Sequence, residues 1–211
     1  MKTKKGDFVE IVYTGRLDTG AIFDINDKDV AKQESMNPSR LASQTIICLG
    51  ERDVVSGLDE FLIDKEYNQK LHIDLTPEQG FGMKEPALIQ MMPLSKFKEH
   101  KINPVPGLQL NIDNMIGIVK SISGGRVLID FNNPMAGRNV KYDVTIVREV
   151  KDLKEKVASF IVQSLKLPRL DVEEKDGIVT AKIKLPKEFQ AVIEEQVMKR
   201  VSDLKGLKFE E

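Results

Sequence analysis

The stretch FNNPMAGRNVKYDV, residues 131–144, constrains the fold more than any other part of the chain. A strand-like run, RVLIDF, halts at Asn132-Asn133-Pro134. Small, flexible residues follow, and then a second strand-like run, KYDVTIV, begins. Proline has no N–H for a ladder, and it restricts the residue before it. The two runs are therefore separate strands, and the rest of the chain decides what the second one rejoins.

Upstream, FVEIVYT (8–14) alternates loosely and is rich in β-formers. Asp18-Thr19-Gly20 is a turn signal before Ala21-Ile22-Phe23, which predicts a hairpin. Residues 25–44 are polar and without a clear period. They contain Asn37-Pro38-Ser39, and a long loop with one helical turn is expected. Residues 45–49 form another apolar strand. Ser56 is placed to cap a short helix carrying Leu58, Phe61 and Leu62, with Asp59 and Glu60 near its N-terminus. Leu71, Ile73 and Leu75 alternate with His72, Asp74 and Thr76 as a half-buried strand that ends at Pro77 and Gly80-Phe81-Gly82.

The composition then changes. Residues 83–135 hold five of the eight methionines, Met83, Met91, Met92, Met115 and Met135, and Pro93, Pro104 and Pro106 break helices. Leu108, Leu110 and Ile112 alternate, and IGIVKSI and RVLIDF flank Ser123-Gly124-Gly125 as a hairpin. This is a small β-rich unit of about 50 residues, near the lower limit for an independent core. After about residue 150, Leu153, Val157, Phe160, Ile161 and Leu165 share one helical face that Pro168 terminates. A hairpin turns at Lys175-Asp176-Gly177. Pro186 opens a second helix with Phe189, Val192, Ile193, Val197, Val201 and Leu204 as its stripe, and Gly206 as its C-cap. Residues 151–211 thus read as α-β-β-α, with a final strand at 207–209.

The charge balance, 32 basic against 33 acidic residues, gives no long-range attraction to nucleic acid or anionic lipid. No apolar run reaches the roughly 18 residues of a membrane span. MKTKKGDFVE lacks a signal-peptide core, so a cytoplasmic location is expected. Cys48 is the single cysteine, sits among apolar residues, and reads as a buried small hydrophobe. His72 and His100 have no spaced partners for a metal site. There is no phosphate loop and no Ser/His/Asp set, and no carboxylate is paired in an apolar setting. An enzyme built on this sequence works without metal, cofactor or covalent intermediate.

Three motifs, taken in order, carry a resemblance: YTGRLDTGAIFD (13–24), LGERDVVSGLDEFLID (49–64) and IDLTPEQGFG (73–82). Together they resemble the FKBP-type peptidyl-prolyl isomerases. Residues 83–132 resemble the insert-in-flap domain of the SlyD-like branch, which returns to its catalytic domain through a motif like N-H-P-L-A-G. Here that place reads Asn132-Asn133-Pro134-Met135-Ala136-Gly137. The length of the chain is similar to that of the long archaeal members. The resemblance covers residues 1–150 well, and 151–211 only by architecture.

The resemblance implies an α+β fold in which an antiparallel sheet packs on a short helix. It implies a discontinuous isomerase domain (1–83 and 133–150), an inserted chaperone domain (84–132) and a C-terminal α+β domain (151–211). It implies a proline pocket of Tyr13, Phe23, Val54, Val55, Leu58, Phe81 and Tyr142, with Asp24 as its lone carboxylate and the Val55 N–H facing the substrate carbonyl. Such a pocket suits the chemistry. Rotation about an Xaa-Pro bond faces a barrier of about 20 kcal/mol set by amide resonance. The twisted transition state is less dipolar than the planar amide, so an apolar site that strips water favours it.

Four departures from the family pattern stand out. Leu58 replaces a common Trp floor, as SlyD-like members allow. Phe81 lacks the hydroxyl of the usual flap Tyr, a bond of about 0.5–1.5 kcal/mol, so weaker small-ligand binding is expected. Asn133 replaces the hinge His and is neutral for chemistry. The His-rich tail is absent, so no metal-carrying role is implied.

By the same resemblance the inserted domain holds unfolded chain. Ile89, Met91, Met92, Leu94 and Phe97 are its expected contacts, with the filling of its own small core as the competing use. The C-terminal stripes are expected to pack on the first domain or on a second copy, a homodimer being favoured. The function expected is an isomerase with attached chaperone activity on unfolded or partly folded polypeptides containing Xaa-Pro bonds. A client-binding holdase with a vestigial pocket is the alternative, and an assembly scaffold acting through the C-terminal domain is a third reading.

Overall fold

The computed structural model describes residues 1–38, 41 and 44–210. The chain runs through β1 (Phe8–Leu17), β2 (Ile22–Ile25), α1 (Lys28–Gln33), β3 (Thr45–Cys48), α2 (Ser56–Phe61) and β4 (Lys70–Leu75). It continues through β5 (Ile89–Pro93), α3 (Leu94–Glu99), β6 (Gln109–Ile112), β7 (Met115–Ser123), β8 (Arg126–Asp130) and β9 (Val140–Glu149). It ends with α4 (Leu153–Leu165), β10 (Val172–Lys175), β11 (Ile178–Lys182), α5 (Lys187–Arg200) and β12 (Gly206–Glu210). The class is the expected α+β, with mainly antiparallel sheets and short helices. Contacts divide the chain into two units, Met1–Leu75 with Val140–Glu211, and Thr76–Asn139.

In the first unit, the strand that starts after the pause runs between two earlier ones. β9 pairs antiparallel with β1 on one side and with β4 on the other. The sheet order is β2-β1-β9-β4, and β3 also pairs with β1. One edge of β1 is therefore shared, residues 8–11 facing β3 and residues 14–16 facing β2. Asn26 is buried at the fork. Its Oδ1 accepts the Tyr13 N–H at 2.6 Å, and its Nδ2 donates to the Ile11 carbonyl and the Thr45 hydroxyl at 2.9 and 2.8 Å. It thereby serves ladder groups that neither partner strand reaches, which burial would otherwise leave unsatisfied.

Local details differ from the sequence reading. The helical turn expected within 25–44 is present as α1, with Asp27 accepting from the Asp29 and Val30 N–H groups, while residues 39, 40, 42 and 43 lie outside the described residues. Ser56 does not cap α2. Val55 holds that position in an extended conformation without a side-chain bond, and Ser56 is the first helical residue. Asp59 lies in the first turn as expected, and has a second use. It is buried and accepts the N–H groups of Gly50 and Arg52, each at 2.9 Å, because the loop before α2 turns unpaired backbone donors toward it.

Residues 151–211 do not form a unit of their own. Val157 and Ile161 of α4, Val179 and Ala181 of β11, Ile193 and Val197 of α5, and Leu207 of β12 share one core with Phe8, Ile46 and Cys48 of the sheet. The segment is too short to bury its stripes alone, and the sheet end formed by β1 and β3 supplies the missing surface. The hairpin of β10 and β11 is antiparallel, and β12 adds parallel to β11. Gly206, expected as a helix cap, is the first residue of β12. α5 stops earlier, with Val201 as its cap, and Val201 and Leu204 are drawn into the core.

In the second unit, four antiparallel strands lie in the order β5-β8-β7-β6. Phe97, Val119, Val127 and Ile129 are the buried centre, with Met92, Leu94, Leu110, Ile122 and Phe131 packed against them. A Cβ at Gly117 would lie 2.6 Å from Ile129 Cγ2 and 2.7 Å from Phe131 Cε1, so only glycine permits this packing. The two ends of the unit are clasped. Asn132 accepts the Glu85 N–H through Oδ1 at 2.8 Å and donates through Nδ2 to the Glu85 carbonyl at 3.2 Å. Buried Asp130 accepts from Lys84 Nζ at 2.7 Å and from the Asn132 backbone and side chain at 3.0 and 2.8 Å.

Candidate functional site

The candidate site starts from a missing side chain. Cross-strand partners point to the same face of a sheet. Gly15 is opposite Tyr142 of β9 and opposite Asp24 of β2, and Tyr13 shares its side of β1. Arg16 pairs with Ile22 and Gly15 with Asp24, which leaves Phe23 as the extra residue of a bulge. The bulge turns Phe23 toward Gly15 as well. A Cβ on Gly15 would stand 2.9 Å from Phe23 Cζ and 3.0 Å from Tyr142 Cε1, closer than side chains tolerate. The glycine makes room for both rings.

The rings then pack on each other. Phe23 meets Tyr142 edge-on, centroids 5.7 Å apart at 82°, and Tyr13 meets Tyr142 at 6.2 Å and 58°. Both distances lie in the favourable range for aromatic pairs. The Tyr13 hydroxyl donates to the Asp24 carboxylate, 3.2 Å from each oxygen. Burial, with the Asp24 charge beside them, pushes both phenols up, so each stays protonated and can donate. Partial burial of the carboxyl pushes Asp24 up too, against the hydrogen bonds from Tyr13 and from the Ile25 N–H. Asp24 also keeps one side open to solvent.

Val54 and Val55 are half-buried where the loop meets α2, and Leu58 is buried to 1% exposure in the first turn. The Val55 carbonyl accepts from the Leu58 and Asp59 N–H groups at 3.0 Å. Its own N–H has no acceptor among the described residues. Phe81 belongs to the second unit, half-buried in a turn where the Gly80 N–H meets the Thr76 carbonyl at 2.9 Å and the Gly82 N–H meets that of Pro77 at 2.6 Å. The sequence reading missed Gly15 and Asn26. Gly15 carried a signal, an isolated glycine inside a strand pattern. Asn26 carried none.

The five residues expected to contact client chain are split. On β5, Ile89 and Met91 point outward, Met91 being 58% exposed. Met92 and Leu94 pack on the inner core, and Phe97 is 5% exposed within it. Phe97 is corrected to a core residue, because so small a unit needs its one α3 aromatic to anchor the helix. The outer sheet face gains residues the sequence reading did not single out. Leu128 is opposite Met91, Ile118 is opposite Asp130, and Ile116 on the same face of β7 is 58% exposed.

Cys48 is buried and its thiol is pushed up to about 12, by burial and then by the charges of Asp53 and Glu51, as suits an inert core residue. His72 is exposed between Asp143 and Asp74, 3.0 and 3.5 Å away. No group of three metal-ligating side chains occurs among the described residues, and no helix among them is long and apolar enough to cross a membrane.

Comparison with known proteins agrees with the geometry. The family model for the FKBP-type peptidyl-prolyl cis-trans isomerase matches residues 1–98, and that for the FKBP26 IF domain matches residues 90–135. A short-type peptidyl-prolyl cis-trans isomerase of Methanocaldococcus jannaschii is 27% identical over 149 residues, 70% of this chain and 94% of its own. The SlyD isomerase of Haemophilus influenzae is 26% identical over 163 residues, 75% of this chain and 78% of its own. The 16 kDa FKBP-type isomerase of Escherichia coli is 27% identical over 103 residues, 47% and 69% of the two chains. A solved structure of the three FKBP domains of wheat FKBP73 aligns at TM-score 0.38 and 16% identity, over 72% of this chain and 42% of that one. Residues 1–98 carry the FKBP-type peptidyl-prolyl cis-trans isomerase domain. Residues 90–135 carry the IF domain.

Proposed function

We propose that the first unit rotates Xaa-Pro bonds in unfolded or partly folded chains, in an apolar site built on Tyr13, Phe23, Asp24, Val54, Val55, Leu58 and Tyr142. The observation that carries this is the aromatic cluster over Gly15 with one carboxylate at its rim. Proline's ring is received by the edges and faces of Phe23, Tyr13 and Tyr142. Excluding water from the amide raises the energy of its dipolar planar form more than that of the twisted form. The Val55 N–H, with no partner of its own, is positioned to bond the substrate carbonyl. Asp24 holds the Tyr13 ring through its hydroxyl and accepts from donors on the substrate backbone. No proton is transferred and no covalent bond is made or broken.

The second unit holds client chain on its outer sheet face, through Ile89, Met91, Ile116, Ile118 and Leu128. Flexible Met side chains adapt to varied apolar partners. The unit acts as a chaperone that keeps slow-folding chains available to the isomerase site, and a homodimer is a further proposal. The test compares the full chain with a version in which 84–132 is replaced by a short loop. Peptide isomerisation in both, with catalysed refolding of a proline-limited protein lost only in the deletion, supports the reading. Suppressed aggregation without peptide isomerisation favours a holdase with a vestigial pocket, a reading for which Phe81 and Leu58 speak.

A further inference from the structure

We propose that Arg200, at the C-terminal end of α5, is a positioning residue that holds the loop ending in Val54 and Val55. The inference rests on reading those two valines as part of the isomerase site. The Arg200 guanidinium lies over the Phe160 ring of α4, 4.7 Å from its centroid, and its side chain is 14% exposed. From there Nη2 reaches Glu51 Oε2 and Asp53 Oδ1, each at 3.8 Å. Asp53 and Glu51 belong to the loop between β3 and α2, and Val54 is the next residue.

The loop is held by carboxylates, and carboxylates in a half-buried place need a counter-charge. Asp53 Oδ2 accepts the Cys48 N–H at 2.8 Å, while Asp59 accepts from Gly50 and Arg52. Three acidic groups, Glu51, Asp53 and Asp59, therefore face one another across a few residues of loop. Burial already pushes Asp53 up, and Arg200 works in the opposite direction. With the guanidinium gone, Asp53 loses its counter-charge and swings to water. That move releases the Cys48 N–H and frees the backbone that leads into Val54 and the N–H of Val55. Arg200 is fixed independently of the loop, by the Phe160 ring and by the core around Val197 and Val201. The C-terminal segment thus does more than complete a core. It sets the geometry of a loop about 150 residues earlier in the chain.

The experiment uses the full chain and two variants, Arg200→Met, which keeps a side chain against Phe160 without the charge, and Arg200→Lys, which returns it. Two readouts are taken: kcat and KM for an Xaa-Pro peptide, and NMR shifts and hydrogen exchange of the amides of residues 48–56. Arg200→Met is expected to raise KM about fivefold with kcat little changed, the scale of one partly buried ion pair. The same variant is expected to speed exchange at Gly50 and Arg52 while leaving the β1 and β9 amides unmoved, and Arg200→Lys recovers most of both effects. Unmoved loop amides and KM in Arg200→Met overturn the proposal. So does uniform loosening of the whole unit that Arg200→Lys leaves uncorrected. Should Arg200→Met fail to fold, Glu51→Gln removes one of the carboxylates at the surface, and selective shifts in the same amides decide. A wild-type chain with no isomerisation sinks the isomerase reading, while the loop amides still decide the role of Arg200.

Discussion

The Tyr13 hydroxyl donates to both oxygens of the Asp24 carboxylate, 3.2 Å from each, at the solvent-facing rim of a packed ring cluster. Desolvation pushes Asp24 up, and the bonds from Tyr13 and Ile25 only partly offset it. A carboxyl with a raised pKa takes its proton at a higher pH than a free aspartate does. The acid limb of kcat/KM is therefore expected above the ordinary carboxylate range, and Asp24→Asn is expected to flatten it. Tyr13→Phe, which removes a bond worth about 1 kcal/mol, is expected to lower kcat/KM about fivefold. A pH–rate profile of the three proteins on one peptide checks both outcomes.

Gly15→Ala is expected to remove the site before it removes the fold. The added Cβ meets Phe23 and Tyr142 at 2.9–3.0 Å, and overpacking of this kind costs about 1–3 kcal/mol. Phe23 sits on a short strand near the edge of the sheet and gives way first. Near-UV circular dichroism and peptide isomerisation should both change, while hydrogen exchange in β4 and β9 stays slow. Unaltered activity would mean that the rings are not the site.

The clasp of the second unit carries a pH dependence whose sign follows from Asp130. Burial would raise this carboxyl, but the bonds from Lys84 and Asn132 outweigh that and bring it to about 2. Its folded pKa lies below its unfolded one, so the stabilisation is fully present above about pH 4 and is lost as pH falls toward 2. Hydrogen exchange of the β7 and β8 amides should accelerate across that window in the wild type and much less in Asp130→Asn. Asn132→Ala leaves the Glu85 N–H without its acceptor and removes a donor to Asp130, and is expected to destabilise the unit by about 1–3 kcal/mol.

Much of this architecture was legible in the sequence, because alternation is a direct record of burial. Leu71, Ile73 and Leu75 form the inward side of β4, and the run after the halt at Asn132-Asn133-Pro134 is a separate strand, with KYDVTIV pairing between β1 and β4. Reading stopped where a residue's use depends on what the fold brings to it. Ser56 has the type of a cap but not the backbone. Asp59 does lie in the first turn of α2, but its bonds to two loop N–H groups left no trace in the sequence. Phe97 and Met91 are both apolar and close in sequence, and only the sheet's two faces separate core from surface. Asn26 and Arg200 act across contacts that no local pattern encodes.

The two faces of the second unit give opposite predictions. Met91→Ser and Ile116→Ser lie on the exposed face, where changes usually stay within about 0.5 kcal/mol. Together they are expected to weaken suppression of aggregation severalfold and to leave peptide isomerisation unaltered. Phe97→Ala empties the core and is expected to cost about 3–5 kcal/mol, enough to unfold so small a unit. Aggregation assays beside thermal denaturation separate the two cases.

The ring cluster around Tyr142 is proposed to turn Xaa-Pro bonds. NMR exchange spectroscopy on a short Xaa-Pro peptide, with no coupled protease, measures this most directly, using the full chain and its Tyr142→Ala variant. Catalytic amounts of the wild type are expected to accelerate cis–trans exchange, and the variant at least tenfold less, since a ring packed on both Tyr13 and Phe23 is lost. Equal rates from the two proteins, in a variant whose β4 and β9 amides stay protected, would contradict it.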